Sequence, residues 1–570
     1  MQELIIDSER KLQIDASKLP TLIEHFYRWE KETPQRTFLR QPIGSTWKEF
    51  SWAEVGNQAR RMTAALKALQ LPPKSHIGIV SKNCVHWVMS DLAIMMSGHI
   101  SVPLFPTLTS EQIHQILAHS DTQVLFVGKL DNWALMKDGI PDSVQVITYP
   151  HYTCSDLVRG DNFLLWDDLI ESNEPSSENY IPKLSDLITI CYTSGTTGTP
   201  KGVMLSYYAF AKVYDAIKEK SRYENGNTSF LSYLPMNHMA ERLVVEAAGI
   251  VSGGQISFVE SLDSFFQNLK DTRPTHFFGV PRIWAKFQQG VLEKMPQKKI
   301  DTLFKIPIIS RLVKKKIRKG LGLDRVRVAL TGAAPMPTAT LRWYHQLGLV
   351  IREGYGMSEN TAACTAMPEE NPKIGTVGIP HPGCELSIDP ENGEILMRAE
   401  WVMDGYYKNP EKTAEVIQDG WLRTGDQGKI DEEGFLIITG RVKELFKTSK
   451  GEYVSPFTLE SRFAGNVFIE QICVVGAGLP QPIALLILSP EGQRAELNTL
   501  TESLKNTLVE VNQGLYPYEH IKKLIVIRDE WSVNTGILTP TLKTKRNVID
   551  GKYQDFYEKW FKHHDQIIFQ

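Results

Sequence analysis

Apolar positions follow two rhythms along the first 190 residues. From Trp52 to Leu69 they recur at helical spacing, and Ser51 stands where an N-cap would satisfy the first free N–H groups, so a helix is predicted over 52–69. Short β-rich runs at 76–83, 102–106 and 122–128 alternate with helical patterns at 86–97 and 110–120. Strand, helix, strand in this order implies βαβ units around a mostly parallel sheet. The polar stretch 171–183 reads as a loop.

Further apolar runs, at 187–195, 230–236, 275–281, 326–335 and 350–356, each end in a glycine-rich or polar turn. In open α/β sheets, ligands bind beyond the carboxyl ends of the strands, so these turns predict a shared site. Turn signals crowd 420–441 like a β-meander, and the composition shifts at Gly440/Arg441. The expected architecture is α/β: a large domain over 1–440 with a β-rich subdomain, and a small, mobile α+β domain over 441–570.

Composition narrows the class. With 42% hydrophobic and 23% charged residues, the 570-residue chain reads as soluble and globular, which excludes disorder as the default. The 63 basic residues against 66 acidic ones give a net charge of −3, so no global field draws it to nucleic acid and no nucleic-acid partner is expected. Six scattered cysteines (Cys84, Cys154, Cys191, Cys364, Cys384 and Cys473) form no CxxC pair and suit a reducing cytoplasm. The N-terminus carries charges where a signal peptide needs an apolar core. The most apolar stretch, Leu92 to Phe105, is too short for a bilayer span and reads as buried core.

The strongest chemical motif runs from Tyr192 to Val203. Five Ser/Thr hydroxyls, three glycines and a lysine within a dozen residues suit a phosphate-gripping loop. Glycines let backbone N–H groups approach, hydroxyls donate hydrogen bonds, and Lys201 supplies charge. A Walker A loop needs glycine before the lysine; Pro200 stands there instead, which disfavours a Walker-type kinase.

This segment resembles the signature of the adenylate-forming enzymes, which include acyl-CoA synthetases, peptide-synthetase adenylation domains and firefly luciferase. The resemblance continues in order through Leu234–Arg242, Thr331–Pro335, Glu353–Glu359, Gly420–Asp426, Gly440–Glu444 and Leu538–Lys543. The run 237–242, the segment 447–456 and the ending 538–546 are similar to the long-chain fatty acyl-CoA synthetase branch; peptide-synthetase domains more often end in a PxTxxGK loop.

The resemblance implies joining a fatty acid to ATP and then to coenzyme A, with Mg²⁺. Thr193, Ser194, Gly195, Thr196, Thr197, Gly198, Thr199 and Lys201 would hold the β- and γ-phosphates, and Thr193 and Glu359 would hold Mg²⁺, a hard cation that prefers oxygen ligands. Tyr355 would stack on adenine, with Gly332, Ala333 and Ala334 opposite and Glu353, Gly354, Gly356, Met357 and Ser358 completing the nucleotide turn. Asp426 would accept from both ribose hydroxyls, and Arg441 would contact ribose or phosphate. His238 would sit beside the acyl carboxylate. Lys543 would bind charge developing at the α-phosphate, swinging in on the hinge Lys443. Gly279 and the segment 276–284 would border the acyl tunnel.

Six basic residues within Arg311–Lys319, preceded by the apolar 303–310, could dock on anionic lipid, so peripheral membrane contact through 303–319 is an expectation beside a cytoplasmic location. The rival readings are an acyl carrier protein ligase or acyl-AMP ligase of the same fold and, from another class, a non-catalytic fatty-acid-binding or uptake-assisting protein. Lys543, Glu359, Asp426 and Arg441 are all present, which favours catalysis.

Overall fold

The computed structural model describes residues 19–44, 46–150, 163–193, 200–533, 535–539 and 544–570. The predicted helix forms as Trp52–Ala68. Ser51 caps it: its hydroxyl accepts from the Glu54 amide while the Glu54 carboxylate accepts from the Ser51 amide, a reciprocal capping box. Helix Ser110–His119 starts the same way, with Thr109 and Gln112.

Two large sheets carry the N-terminal part. An eight-stranded sheet has a parallel centre made by His76–Val80, Ile100–Leu104, Thr122–Val127 and Gln145–Thr148, and Leu187–Thr193 joins it in parallel. A nine-stranded sheet has a parallel centre of Gln255–Phe258, Ser229–Ser232, His276–Phe278, Val328–Thr331 and Ile351–Tyr355. Helix Val85–Met96 is buried at every position within the core that the two sheets share, so its apolar residues are not confined to one stripe and its buried Asp91 needs a partner.

The turn-rich stretch supplies the hairpin Trp421–Ile430 and Leu436–Arg441 to an antiparallel sheet of five strands. Beyond it, strands Ile469–Val475, Ile483–Leu488, Leu524–Val526 and Ile567–Phe569 form a fourth sheet. Alternation along its first strand sends Cys473 and Val475 to helix Arg546–Lys562, and Val474 to helix Leu497–Asn512, so each face is covered by one helix.

One buried charged cluster lies deep in the N-terminal core. Arg242 and Asp91 are 1% and 0% exposed, and the guanidinium Nη2 donates to both Asp91 oxygens at 2.7 and 2.6 Å. Arg242 also donates to Thr189 Oγ1 at 2.6 Å, with Glu246 3.4 Å from its Nε. Burial, and then the neighbouring Asp91, push the Glu246 carboxyl far above its usual range, so it is held protonated. Arg242 opens a π-helical segment, Arg242–Ala247, continuous with the helical turns on either side.

Candidate active site

The strand ends converge as the pattern predicts. Thr331 and Glu353 lie opposite each other in parallel register, so the turns beginning at Gly332 and Gly356 leave the nine-stranded sheet side by side. Thr193 ends a strand of the other sheet and pairs with Lys201, which starts the next, so the phosphate-loop motif is closed at its base. Ser194, Gly195, Thr196, Thr197, Gly198 and Thr199 lie outside the described residues.

These turns wall a cavity of about 1790 Å³. That exceeds the volume of an ordinary one-ligand site and leaves room for several substrates. Thr193, Lys201, His238, Gly332, Ala333, Ala334, Glu353, Gly354, Tyr355, Gly356, Met357, Ser358, Glu359, Asp426, Arg441 and Lys443 all line it. Lys543 lies outside the described residues, but Thr539 and Thr544 on either side line the same cavity, and a bridge between Leu538 and Thr544 closes their loop. Gly279 is not in the wall, and that expectation is corrected: a Cβ there would stand 2.8 Å from Trp284 Nε1, so the glycine serves packing. Phe278, Val280 and Pro281 of the same segment do face the cavity.

Asp426 and Arg441 are cross-strand partners in the hairpin, with Nε to Oδ1 at 3.1 Å. The Tyr355 phenol donates to Asp426 Oδ2 at 2.8 Å, which fixes the ring. On the same face as Tyr355, Glu353 Oε2 and Thr331 Oγ1 are buried without a hydrogen-bond partner among the described residues. Burial pushes the Glu353 carboxyl up to about 7. Two orphaned polar atoms beside an anchored ring suit a planar ligand that brings its own donors and acceptors. Ala333 has φ +64°, a left-handed conformation that costs a β-carbon residue energy and concentrates at functional turns.

Glu359 is 8% exposed, and its carboxylate accepts from the Tyr406 phenol at 2.8 Å. Lys201 Nζ stands 5.5 Å from the centre of the Tyr406 ring. Burial and then Lys412 lower the Lys201 pKa, with Glu359 acting against them. Sequence reasoning missed Tyr406 and Lys412, both in the cavity wall. Tyr406 reaches the site because its short strand pairs with the one carrying Val203, a contact between distant segments that no local pattern announces.

The small C-terminal unit supplies the rest of the wall. Arg546 lines the cavity, paired with Glu460 at 2.7 Å. Across the same cleft Arg282 pairs with Glu470, and Lys286 lies 3.5 Å from Glu491.

The sequence model described as AMP-binding enzyme matches residues 26–407, and that of the AMP-binding enzyme C-terminal domain matches 443–564. The chain belongs to the AMP-binding enzyme family. Among the relatives of this AMP-binding enzyme, fatty acyl-CoA synthetase A of Dictyostelium discoideum is 31% identical, over 89% of this chain and 85% of its own. Long-chain-fatty-acid--CoA ligase FadD15 of Mycobacterium tuberculosis is 29% identical, over 92% of this chain and 94% of its own. The adenylation domain of a carboxylate reductase from Mycobacterium chelonae superposes with a TM-score of 0.80 at 23% identity, covering 96% of this chain and 92% of that one. This last likeness is one of fold.

Proposed function

We propose that this AMP-binding enzyme activates a fatty acid with ATP and transfers the acyl group to coenzyme A. One observation carries the reading: a single cavity gathers Thr193, Lys201, Tyr355, Glu359, Asp426 and Arg441, with Thr539 and Thr544, which flank Lys543 in sequence, at its wall. Relatives named as fatty acyl-CoA synthetases and ligases support the choice of acid and acceptor.

In the first half-reaction a carboxylate oxygen attacks the α-phosphorus, the bond to the bridging oxygen breaks, and pyrophosphate leaves. Two anions must meet, so neutralisation and alignment dominate. Lys201 and Lys412 supply positive charge from one wall, and Asp426, Arg441 and Tyr355 hold the nucleoside at the other. Glu359, a buried carboxylate oriented by one phenol, and the Thr193 hydroxyl offer hard oxygen donors that fit Mg²⁺. That ion, when bound, supplies charge neutralisation to the phosphates. In the second half-reaction a thiol attacks the acyl-adenylate carbonyl and AMP departs. A thiol near pH ~8.5 supplies some thiolate without a dedicated base.

Membrane contact belongs to the same reading, since long acyl chains partition into lipid. Helix Pro307–Gly320 exposes Ile308 at 77% and Leu312 at 63%, beside exposed Arg311, Lys315, Lys316 and Lys319. Apolar and cationic groups together suit an anionic lipid surface. Among the described residues no helix is long and apolar enough to cross a membrane.

Acid-dependent exchange of labelled pyrophosphate into ATP tests the adenylation step. Exchange stimulated by fatty acids and reduced about 10²- to 10³-fold by Lys543→Ala supports it. Exchange absent with every fatty acid overturns it.

A further inference from the structure

The cavity continues past the strand ends into an inner lobe, and the sheet register measures its depth. Phe278, Leu330 and Arg352 are level with one another and share a face; Gly332 and Gly354 lie two residues nearer the strand ends, while His276 and Val328 lie two residues further in. At ~3.3 Å per residue, His276 is about 13 Å below the two glycines. Lys220 and Ser221, beyond helix Tyr207–Ile217, roof the lobe, and His381 lines it from the other side. The roof is tied down: the His276 ring bonds the Ser221 carbonyl at 2.7 Å, and Arg352 Nη1 donates to the Lys220 carbonyl at 2.9 Å.

The deep end of this lobe is not apolar. Arg352 is 6% exposed; its Nε donates to the Met367 carbonyl, and its Nη2 bonds no described residue. Among the described residues no carboxylate stands within ion-pair distance of Arg352 or Lys220. Glu369, the acid that most affects Arg352, pairs with Arg222 instead. Burial lowers the pKa of both cations and outweighs the opposing pull of Glu370, which acts on each without an ion pair. His381 Nδ1 is buried with no partner among the described residues. A methyl-terminated chain reaching this end would leave a buried guanidinium, a partly buried ammonium and a ring nitrogen unsatisfied, which is costly.

We infer that the inner lobe binds a second carboxylate at the far end of the acyl chain, so that the preferred acid is an α,ω-dicarboxylic acid, held by Arg352 and Lys220 with His381 beside them. An extended chain gains about 1.3 Å per carbon from its ~1.5 Å bonds, so a 13 Å lobe matches about ten carbons. The inference rests on the acid-activating reading above and names its substrate class.

The test is acyl-CoA formation by the full chain with ATP and Mg²⁺, comparing decanedioic, decanoic and hexadecanoic acids. Wild type is expected to favour decanedioic over decanoic acid in kcat/KM by about 10- to 100-fold, the range for one or two charge-assisted bonds. Lys220→Met and Arg352→Met are each expected to reduce that ratio at least about tenfold while decanoic acid is still turned over. Lys220 is less buried than Arg352, so its variant keeps the test informative if Arg352→Met fails to fold. Preference for either methyl-terminated acid, with a ratio that neither variant moves, overturns the inference. If no acid is turned over, the ligase reading is what fails. Calorimetric binding to the AMP-loaded protein then decides the lobe: tighter decanedioic acid, weakened about tenfold by Lys220→Met, upholds it, and equal affinities overturn it.

Discussion

Asp426 and Arg441 face each other across the hairpin at 3.1 Å, and Tyr355 completes the contact from another sheet at 2.8 Å. This wall of the cavity is therefore one hydrogen-bonded unit rather than three independent residues. Asp426→Ala is expected to lower kcat/KM for ATP about 100-fold and Tyr355→Phe about 10-fold, with the double variant close to the worse single. Full additivity in steady-state kinetics would show that the two side chains act separately.

Tyr406 orients Glu359, and its strand pairs with the end of the phosphate-loop motif at Val203. Tyr406→Phe removes one hydrogen bond to a carboxylate, so the Mg²⁺ concentration for half-maximal adenylation is predicted to rise about 10-fold with kcat less affected. Chelation of divalent ions is expected to abolish activity in both proteins. An unchanged Mg²⁺ dependence in the variant would refute this role for Tyr406.

Arg242 lies in a stretch that reads as chemistry, yet its side chain is buried against Asp91 and Thr189. Removing the Asp91 charge strands a buried guanidinium, so Asp91→Asn should destabilise by about 3–5 kcal/mol. Glu246, already protonated, should tolerate Glu246→Gln within about 1 kcal/mol. Denaturant unfolding of both variants measures the contrast, and equal losses would contradict it.

Two buried groups tilt stability with pH in opposite senses. His276 is held neutral, its pKa lowered by burial from 6.5 to about 4, so its contribution is full above pH 6.5 and is lost as pH falls towards 4. Glu241 is held protonated, pushed up by burial from 4.5 to about 8, so its contribution is full below 4.5 and is lost as pH rises towards 8. Tm against pH should therefore rise less steeply between 4 and 6.5 in His276→Gln, and fall less steeply between 4.5 and 8 in Glu241→Gln. Profiles parallel to wild type would show that neither group titrates this way.

Helix Pro307–Gly320 provides a contrast between lipid binding and turnover. Ile308→Asp with Leu312→Asp is expected to reduce binding to phosphatidylserine-containing vesicles at least about 10-fold, as is charge reversal at Lys314, Lys315 and Lys316. Turnover of short soluble acids should stay the same. Vesicle binding that survives both sets, read by co-sedimentation, would remove the membrane role.

Much of the frame was legible because it is local. Ser51 announces the start of helix Trp52–Ala68, and the helical pattern at 86–97 announces helix Val85–Met96. The strand-end turns were legible for the same reason. Tyr406 and Lys412 were not, since only the pairing of Tyr406 with Val203 carries that segment to Glu359. Arg352 was hidden for another reason: neighbours on a strand point to opposite faces, so Glu353 turns towards the nucleoside wall while Arg352 enters the inner lobe. Gly279 misled because a small residue beside a cavity can equally serve the packing of a buried tryptophan.

The most direct measurement of the central claim is product analysis by mass spectrometry. Purified protein would receive ATP, Mg²⁺ and a graded panel of fatty and dicarboxylic acids, with and without coenzyme A. AMP, pyrophosphate and acyl-CoA are expected when coenzyme A is present, with acyl-CoA absent when it is withheld. Acyl-adenylate that never becomes a thioester would move the acceptor to another thiol, such as a carrier protein. ADP as the product, or no acyl product from any acid, would contradict the account.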